Sequence, residues 1–129
     1  MTVSWFGGEP LLALDVIKEI SEEIIEWAAA YGVTYQAEIS TNGYYLSKET
    51  MQTLLAYGVN RVMVTLDGTK EVHDTRRILA TGGPTYETIL QNLRAIQALE
   101  EPFEIYIRVN FDEDNLAQIP PFLTESFFR

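Results

Sequence analysis

The heptapeptide RVMVTLD, residues 61–67, decides the fold of this chain. Apolar and β-branched residues run through it almost unbroken, and it ends in Asp67 followed by Gly68. Such a run reads as a strand of a parallel sheet buried on both faces. Upstream, TYQAEIST (34–41) ends in Asn42-Gly43, and TVSWF (2–6) ends in Gly7-Gly8. Downstream, FEIYIRVNF (103–111) alternates more clearly and runs into the acids Asp112, Glu113 and Asp114. We predict strands over 2–6, 35–41, 61–67 and 103–111.

The intervening segments change period. From Leu14, the apolar residues Ile17, Ile20, Ile24, Trp27 and Tyr31 fall at steps of three and four, acids lie between them, and Gly32 stands at the end. That is an amphipathic helix with a C-terminal glycine stop, its stripe expected in the core and its face 19–26 in solvent. Ser47 offers an N-cap to a second helix with Met51, Leu54 and Leu55 as its stripe and Gly58 as its stop. A long polar loop then carries His73, Asp74, Arg76 and Arg77 and crosses Gly82-Gly83-Pro84. Thr85 caps a third helix that buries Tyr86, Ile89, Leu90, Leu93, Ile96 and Leu99. A last helical pattern over 116–128 is interrupted by Pro120-Pro121. Strand alternating with helix predicts right-handed βαβ crossovers and a parallel sheet.

Composition narrows the chemistry. The 129 residues form one domain, and a net charge of −10 repels phosphate backbones and anionic membrane surfaces, so nucleic acid and membranes are not expected partners. No apolar run approaches the roughly 18 residues of a membrane span and no signal peptide is visible, so a cytoplasmic location is expected. Zero cysteines exclude disulfides, thiolate metal sites and cysteine-held clusters within these residues. One histidine, His73, excludes multi-histidine metal sites. We expect neither catalytic nor metal-ligating residues in this chain.

The strand exits hold what remains. Gly7, Gly43 and Gly68 stand close behind three strands, and the acids Glu9, Asp67 and Asp112 gather at the same C-terminal edge, where α/β folds bind ligands. In GGEP (7–10) the paired glycines bare the backbone, and Pro10 restricts Glu9 to extended conformations.

WFGGEPLL, ISTNGYYLS and VMVTLDGTKEVHDTRR, in this order, resemble the radical S-adenosylmethionine enzymes, especially the branch of anaerobic sulfatase-maturating enzymes and SPASM peptide maturases. The resemblance spans almost the whole chain, with TYETILQNLRAI and IRVNFDEDN also similar. It implies an α/β fold: a partial (β/α) barrel fragment of about four parallel strands with crossover helices, roughly barrel strands two to five, occupying 1–129. It further implies an enzyme that abstracts hydrogen from a peptide or protein substrate through a 5′-deoxyadenosyl radical. Gly7, Gly8, Glu9 and Pro10 are implied to bind the amino group of S-adenosylmethionine. Thr41, Asn42, Thr65 and Asp67 are implied for ribose hydroxyls and nearby substrate groups, Arg76 or Arg108 for the methionine carboxylate, and Val109 for the adenine.

The family's 4Fe–4S cluster hangs on a CxxxCxxC loop, and this chain has no cysteine. We therefore read it as an internal fragment, inactive alone, with the cluster expected in its parent and S-adenosylmethionine binding weak or absent. Other readings stay open: a magnesium-dependent barrel enzyme using Glu9, Asp67 and Asp112, or a non-catalytic nucleoside-binding fragment. His73-Asp74 is read as a loop histidine making local hydrogen bonds rather than a phosphohydrolase site, and Arg76-Arg77 as an anion clamp or as surface charge. Open sheet edges at 2–6 and 103–111, with Phe122, Phe127 and Phe128 as added aromatic surface, predict a homo-oligomer.

Overall fold

In the computed structural model, which describes residues 1–124, four strands form one sheet in the order β1 (Thr2–Trp5), β2 (Gln36–Thr41), β3 (Val59–Thr65), β4 (Glu104–Arg108). All three neighbouring pairs are parallel. Helices α1 (Leu14–Ala30), α2 (Lys48–Ala56), α3 (Lys70–Arg76) and α4 (Tyr86–Gln97) make the crossovers, and α5 (Ile119–Leu123) closes the described chain. This is the expected α/β unit of a partial barrel. Every predicted strand is present, within a residue or two of its expected start.

Among the described residues, the helices cover one face of the sheet. Ala37, Ile39, Val62 and Val64 are 1% exposed or less and pack on the helices, with Leu54, Ile89, Leu93 and Ile96 opposite them. Burying each large apolar side chain of this layer contributes about 1.5–3 kcal/mol. The other face presents Ser4, Glu38, Ser40, Arg61, Met63, Glu104, Tyr106 and Arg108, none of them fully buried. Burial of β3 on both faces is therefore corrected for the start of the strand: on the side away from the helices Arg61 is exposed and Met63 half-buried, whereas Thr65 at the strand's end is buried.

The stripe on α1 is also corrected. Its fully buried line is Ile17, Ser21 and Ala28, whereas Ile20, Trp27 and Tyr31 are 41%, 50% and 70% exposed. Small Ser21 and Ala28 let the helix sit close to the sheet, and the bulkier residues at the neighbouring steps turn outward, where Trp27 and Tyr31 pack with ring centroids 5.0 Å apart. The stripes of α2 and α4 are buried as expected, through Met51 and Leu54, and through Tyr86, Ile89, Leu90, Leu93 and Ile96.

The polar loop expected after 67 contains a helix, α3. Pro120 and Pro121 open α5 rather than interrupt it, because the first helical turn needs no N–H from them. Phe122 is fully buried, so it adds no aromatic surface; Phe127 and Phe128 lie outside the described residues.

Candidate ligand site at the strand exits

At the exit of β1, Gly7 takes φ +127°, a conformation side chains disfavour, and the space where a Cβ on Gly7 or Gly8 would stand is empty. Glu9 follows in extended conformation and caps the 3-10 turn Pro10–Ala13. Its Oε1 accepts from the Leu11 N–H at 3.1 Å and from Thr41 Oγ1 at 2.6 Å, and its Oε2 accepts from the Asn42 N–H at 2.8 Å. Three of the roughly four acceptor positions of a carboxylate are thus used. The charge itself is unanswered: among the described residues Glu9 is in no salt bridge.

At the exit of β2, the Thr41 hydroxyl is spent, donating to Glu9 and accepting from the Gly43 N–H at 3.1 Å. Asn42 Oδ1 accepts from the Tyr44 N–H at 2.9 Å, leaving its amide nitrogen for other use. Gly43 has φ +78°, and a Cβ there would stand 2.8 Å from Val64 Cγ1. Asn92 on α4 donates to the carbonyls of Gly43 and Tyr44 at 3.0 and 2.9 Å, locking this turn against the helix layer.

The exit of β3 is a closed knot. Asp67, 4% exposed, pairs through Oδ2 with Arg77 Nε at 2.6 Å and through Oδ1 with the Asn110 N–H at 3.2 Å. Its own N–H donates to His73 Nδ1 at 3.2 Å, and its carbonyl accepts from Asn115 Nδ2 at 3.1 Å. His73 is not on a loop: it sits fully buried in α3. With Nδ1 accepting, the neutral ring carries its proton on Nε2 and donates to Thr85 Oγ1 at 3.0 Å, and Thr85 donates on to the Arg77 carbonyl. Burial holds the His73 pKa below its ordinary value; the charges of Asp74 and Asp67 pull the other way and that of Arg77 adds to the lowering. Since the Thr85 hydroxyl is spent here, the start of α4 is capped by Asp74 Oδ1, which accepts from the N–H groups of Thr85 and Tyr86 at 3.0 and 2.9 Å.

Arg76 pairs with Asp112 Oδ1 at 2.7 Å, which lowers the Asp112 pKa and raises that of Arg76. Of the two arginines considered for a ligand carboxylate, Arg76 is thus engaged, while Arg108 has no ion pair among the described residues. Val109 is half-buried against the core. Thr65 lies beside Arg108 in the β3–β4 register, on the open face.

Glu9, Asp67 and Asp112 do not converge; no group of three potential metal-ligating side chains exists among the described residues. The magnesium reading loses its ligand set. Two concavities flank the exits instead. One, of about 340 Å³, lies between Glu9, Asn42, Tyr44, Arg76, Arg77 and Ile78. The other, of about 480 Å³, lies on the open sheet face and is lined by Ser4, Trp5, Phe6, Gly7, Glu38, Ser40, Met63 and Arg108. Ser4 donates to Glu38 at 2.6 Å across this face. Sequence reading missed Ser4, Glu38, Ser40 and Met63, although strand parity marks them: they alternate with the residues that fill the core.

A family model of the radical SAM superfamily matches residues 2–120. The chain belongs to the radical SAM superfamily. An AdoMet-dependent heme synthase of Methanosarcina barkeri (strain Fusaro / DSM 804) is 33% identical over 115 residues, 88% of this chain and 29% of that protein. Fe-coproporphyrin III synthase of the same organism is 30% identical over 114 residues, 88% of this chain and 26% of that protein. The chain thus spans less than a third of either relative's length. Among solved structures, native anSMEcpe with bound AdoMet, an anaerobic sulfatase-maturating enzyme, shares the fold at TM-score 0.83 and 19% identity, over 98% of this chain and 35% of that one. A domain of pyruvate-formate lyase-activating enzyme from Bacteroides vulgatus ATCC 8482 gives TM-score 0.58 and 26% identity, over 98% and 73%. Among the described residues, no helix of this radical SAM chain is long and apolar enough to cross a membrane.

Proposed function

We propose that this chain is the wall of a radical SAM barrel that receives S-adenosylmethionine at the exit of β1 and along the open sheet face. One observation carries the reading: of the three acids at the strand exits, Glu9 alone lacks a cationic partner among the described residues, and it stands beside a bared glycine turn. S-adenosylmethionine brings a sulfonium and an ammonium to such a site. The residues present fit it. Gly7 and Gly8 offer backbone oxygens to the ammonium, Pro10 fixes the turn, and the charge of Glu9 favours the cation. Arg108, which lines the hollow of the open face, takes the carboxylate in a fork, and we assign the Thr65 hydroxyl and the Asn42 amide nitrogen to the ribose hydroxyls. Thr41, Asp67, Arg76 and Val109 serve the scaffold, because their polar groups or their surface are already engaged.

Bound in an enzyme of this superfamily, S-adenosylmethionine supplies radical hydrogen abstraction. A 4Fe–4S cluster does not fit the residues present, since none is a cysteine. This chain's part is binding and orientation, and the activity belongs to a larger protein of which these residues form barrel strands two to five. Reconstitution of the chain with iron and sulfide is expected to give no cluster absorbance.

The substrate class we favour is a peptide or protein, on the combination of GGEP, STNG and LDG with HDxxR behind it. A second reading, an iron porphyrin, is favoured by the 33% and 30% identities to the heme and Fe-coproporphyrin III synthases. A Soret titration with iron coproporphyrin against anisotropy with a labelled cysteine-containing peptide separates them.

Ligand-observed NMR on the chain tests the site. The expected affinity for S-adenosylmethionine is weak, about −4 to −6 kcal/mol, because the cluster is not there to anchor it. Glu9→Gln, which keeps the shape and removes the charge, should weaken it about tenfold. Absence of saturable binding, or equal affinity in Glu9→Gln, overturns the reading.

A further inference from the structure

Arg108 stands near the end of an edge strand. β4 pairs with β3 alone, so its terminal backbone is held from one side and is the part of the sheet most free to fray. Its exposed side chain has no ion pair among the described residues, so where the guanidinium stands depends on the path of the strand that carries it. The last rung of the ladder is the Leu66 N–H donating to the Arg108 carbonyl at 2.9 Å. Beyond it, Asn115 takes over. Fully buried, it donates from Nδ2 to the carbonyl of Asp67 at 3.1 Å and to that of Asn110 at 2.9 Å, so one amide group joins the exits of β3 and β4. Its Oδ1 accepts from the Asp112 N–H at 2.8 Å and turns the chain away.

We propose that Asn115 is a positioning residue for ligand recognition: by clamping the end of β4 to β3 it holds Arg108 over the hollow of the open face, where the guanidinium reads a ligand carboxylate. The proposal rests on the reading of Arg108 given above. The clamp needs donor and acceptor on one short side chain. An aspartate in its place would lack the donor and set an anion against two carbonyls, and an alanine would leave both carbonyls without it.

The experiment compares S-adenosylmethionine with its decarboxylated analogue, by ligand-observed NMR on the native chain, Arg108→Ala, Asn115→Asp and Asn115→Ala, with amide hydrogen exchange of residues 107–110 measured alongside. The native chain should prefer the carboxylated ligand about tenfold. Arg108→Ala should lose the preference with exchange unchanged. Asn115→Asp and Asn115→Ala should lose it and exchange at least about tenfold faster at 107–110, with the amides of β2 still protected, which shows that the fold survives. Preference and protection both retained in the Asn115 variants, with Arg108→Ala defective, overturn the role of Asn115 and leave the Arg108 reading standing. Preference retained in Arg108→Ala overturns both. A variant that unfolds as a whole, with β2 unprotected, makes Asn115 a stability residue and also overturns the proposal.

Discussion

Thr41 Oγ1 donates to Glu9 Oε1 at 2.6 Å, joining the exits of β1 and β2 by a side-chain bond just past the end of their ladder. The hydroxyl is relayed in turn to the Gly43 N–H, so the GGEP turn and the Asn-Gly turn form one unit. Glu9 therefore has two duties, a structural one through its oxygens and an electrostatic one through its charge. Glu9→Ala should lower stability by about 2–3 kcal/mol, since hydrogen bonds to a charged acceptor are lost and a buried hydroxyl is left without its acceptor. In a urea-unfolding cycle with Thr41→Val, the two effects should be clearly non-additive. Additive losses would show that the bond carries no stability.

Gly43→Ala should cost about 2–4 kcal/mol. The added Cβ meets Val64 Cγ1 at 2.8 Å and Ile89 Cγ2 at 3.1 Å, both in the packed layer between sheet and helices, and φ +78° is strained for alanine in any case. Thermal unfolding measures it; a loss below about 1 kcal/mol would mean that the turn moves away from β3 at little cost.

Much of this was readable in advance because the decisive signals are local. β-branched runs ending in glycine marked three strands and an alternating run ending in acids the fourth, the helical segments between them implied parallel pairing, and Met51, Leu54, Ile89 and Leu93 declare their helices by period. Gly7 and Glu9 stood out because special backbone is written in residue type. What was not legible depends on partners distant in sequence. Asn115 and Asn92 look like ordinary loop and helix polar residues until the carbonyls 48 and 49 positions away are brought to them. α3 is a single short segment of polar residues with little apolar period, and its one fully buried residue is a histidine, satisfied by Asp67 and Thr85 rather than by apolar contact. The Arg77 partner of Asp67 was hidden for the same reason: an acid at a strand exit reads alike whether or not an arginine ten residues on pairs with it.

That histidine gives the chain a pH dependence. His73 has a folded pKa below its ordinary value of 6.5, chiefly through burial, and its Nδ1 is occupied as an acceptor. Its contribution is present above the unfolded value and is lost as pH falls through about 6.5 toward the folded pKa, because the unfolded chain takes up the proton first. With one histidine in the sequence, the slope near neutral pH should approach at most about 1.4 kcal/mol per pH unit, and His73→Gln should flatten it. Equal slopes in the two proteins would place the titration elsewhere.

β1 forms one outer edge of the sheet. That strand pairs with β2 alone, and beside it α1 leaves Val16, Ile20, Trp27 and Tyr31 exposed, with a concavity of about 340 Å³ between Met1, Glu23, Ile24 and Trp27. Free strand hydrogen bonds next to aromatic surface form a combination that pairs with a second copy in the absence of any other partner. β4 is the poorer edge, since Glu104 and Arg108 place charges along it. We therefore expect a two-fold dimer through β1 and α1, opposed by the net charge of −10 and so tightened by added salt, the reverse of what an interface held by opposite charges shows. Sedimentation across micromolar to millimolar protein, at low and high salt, measures this. Trp27→Glu should shift the equilibrium to monomer. A monomer throughout, or a dimer indifferent to Trp27→Glu, would exclude this edge as the interface.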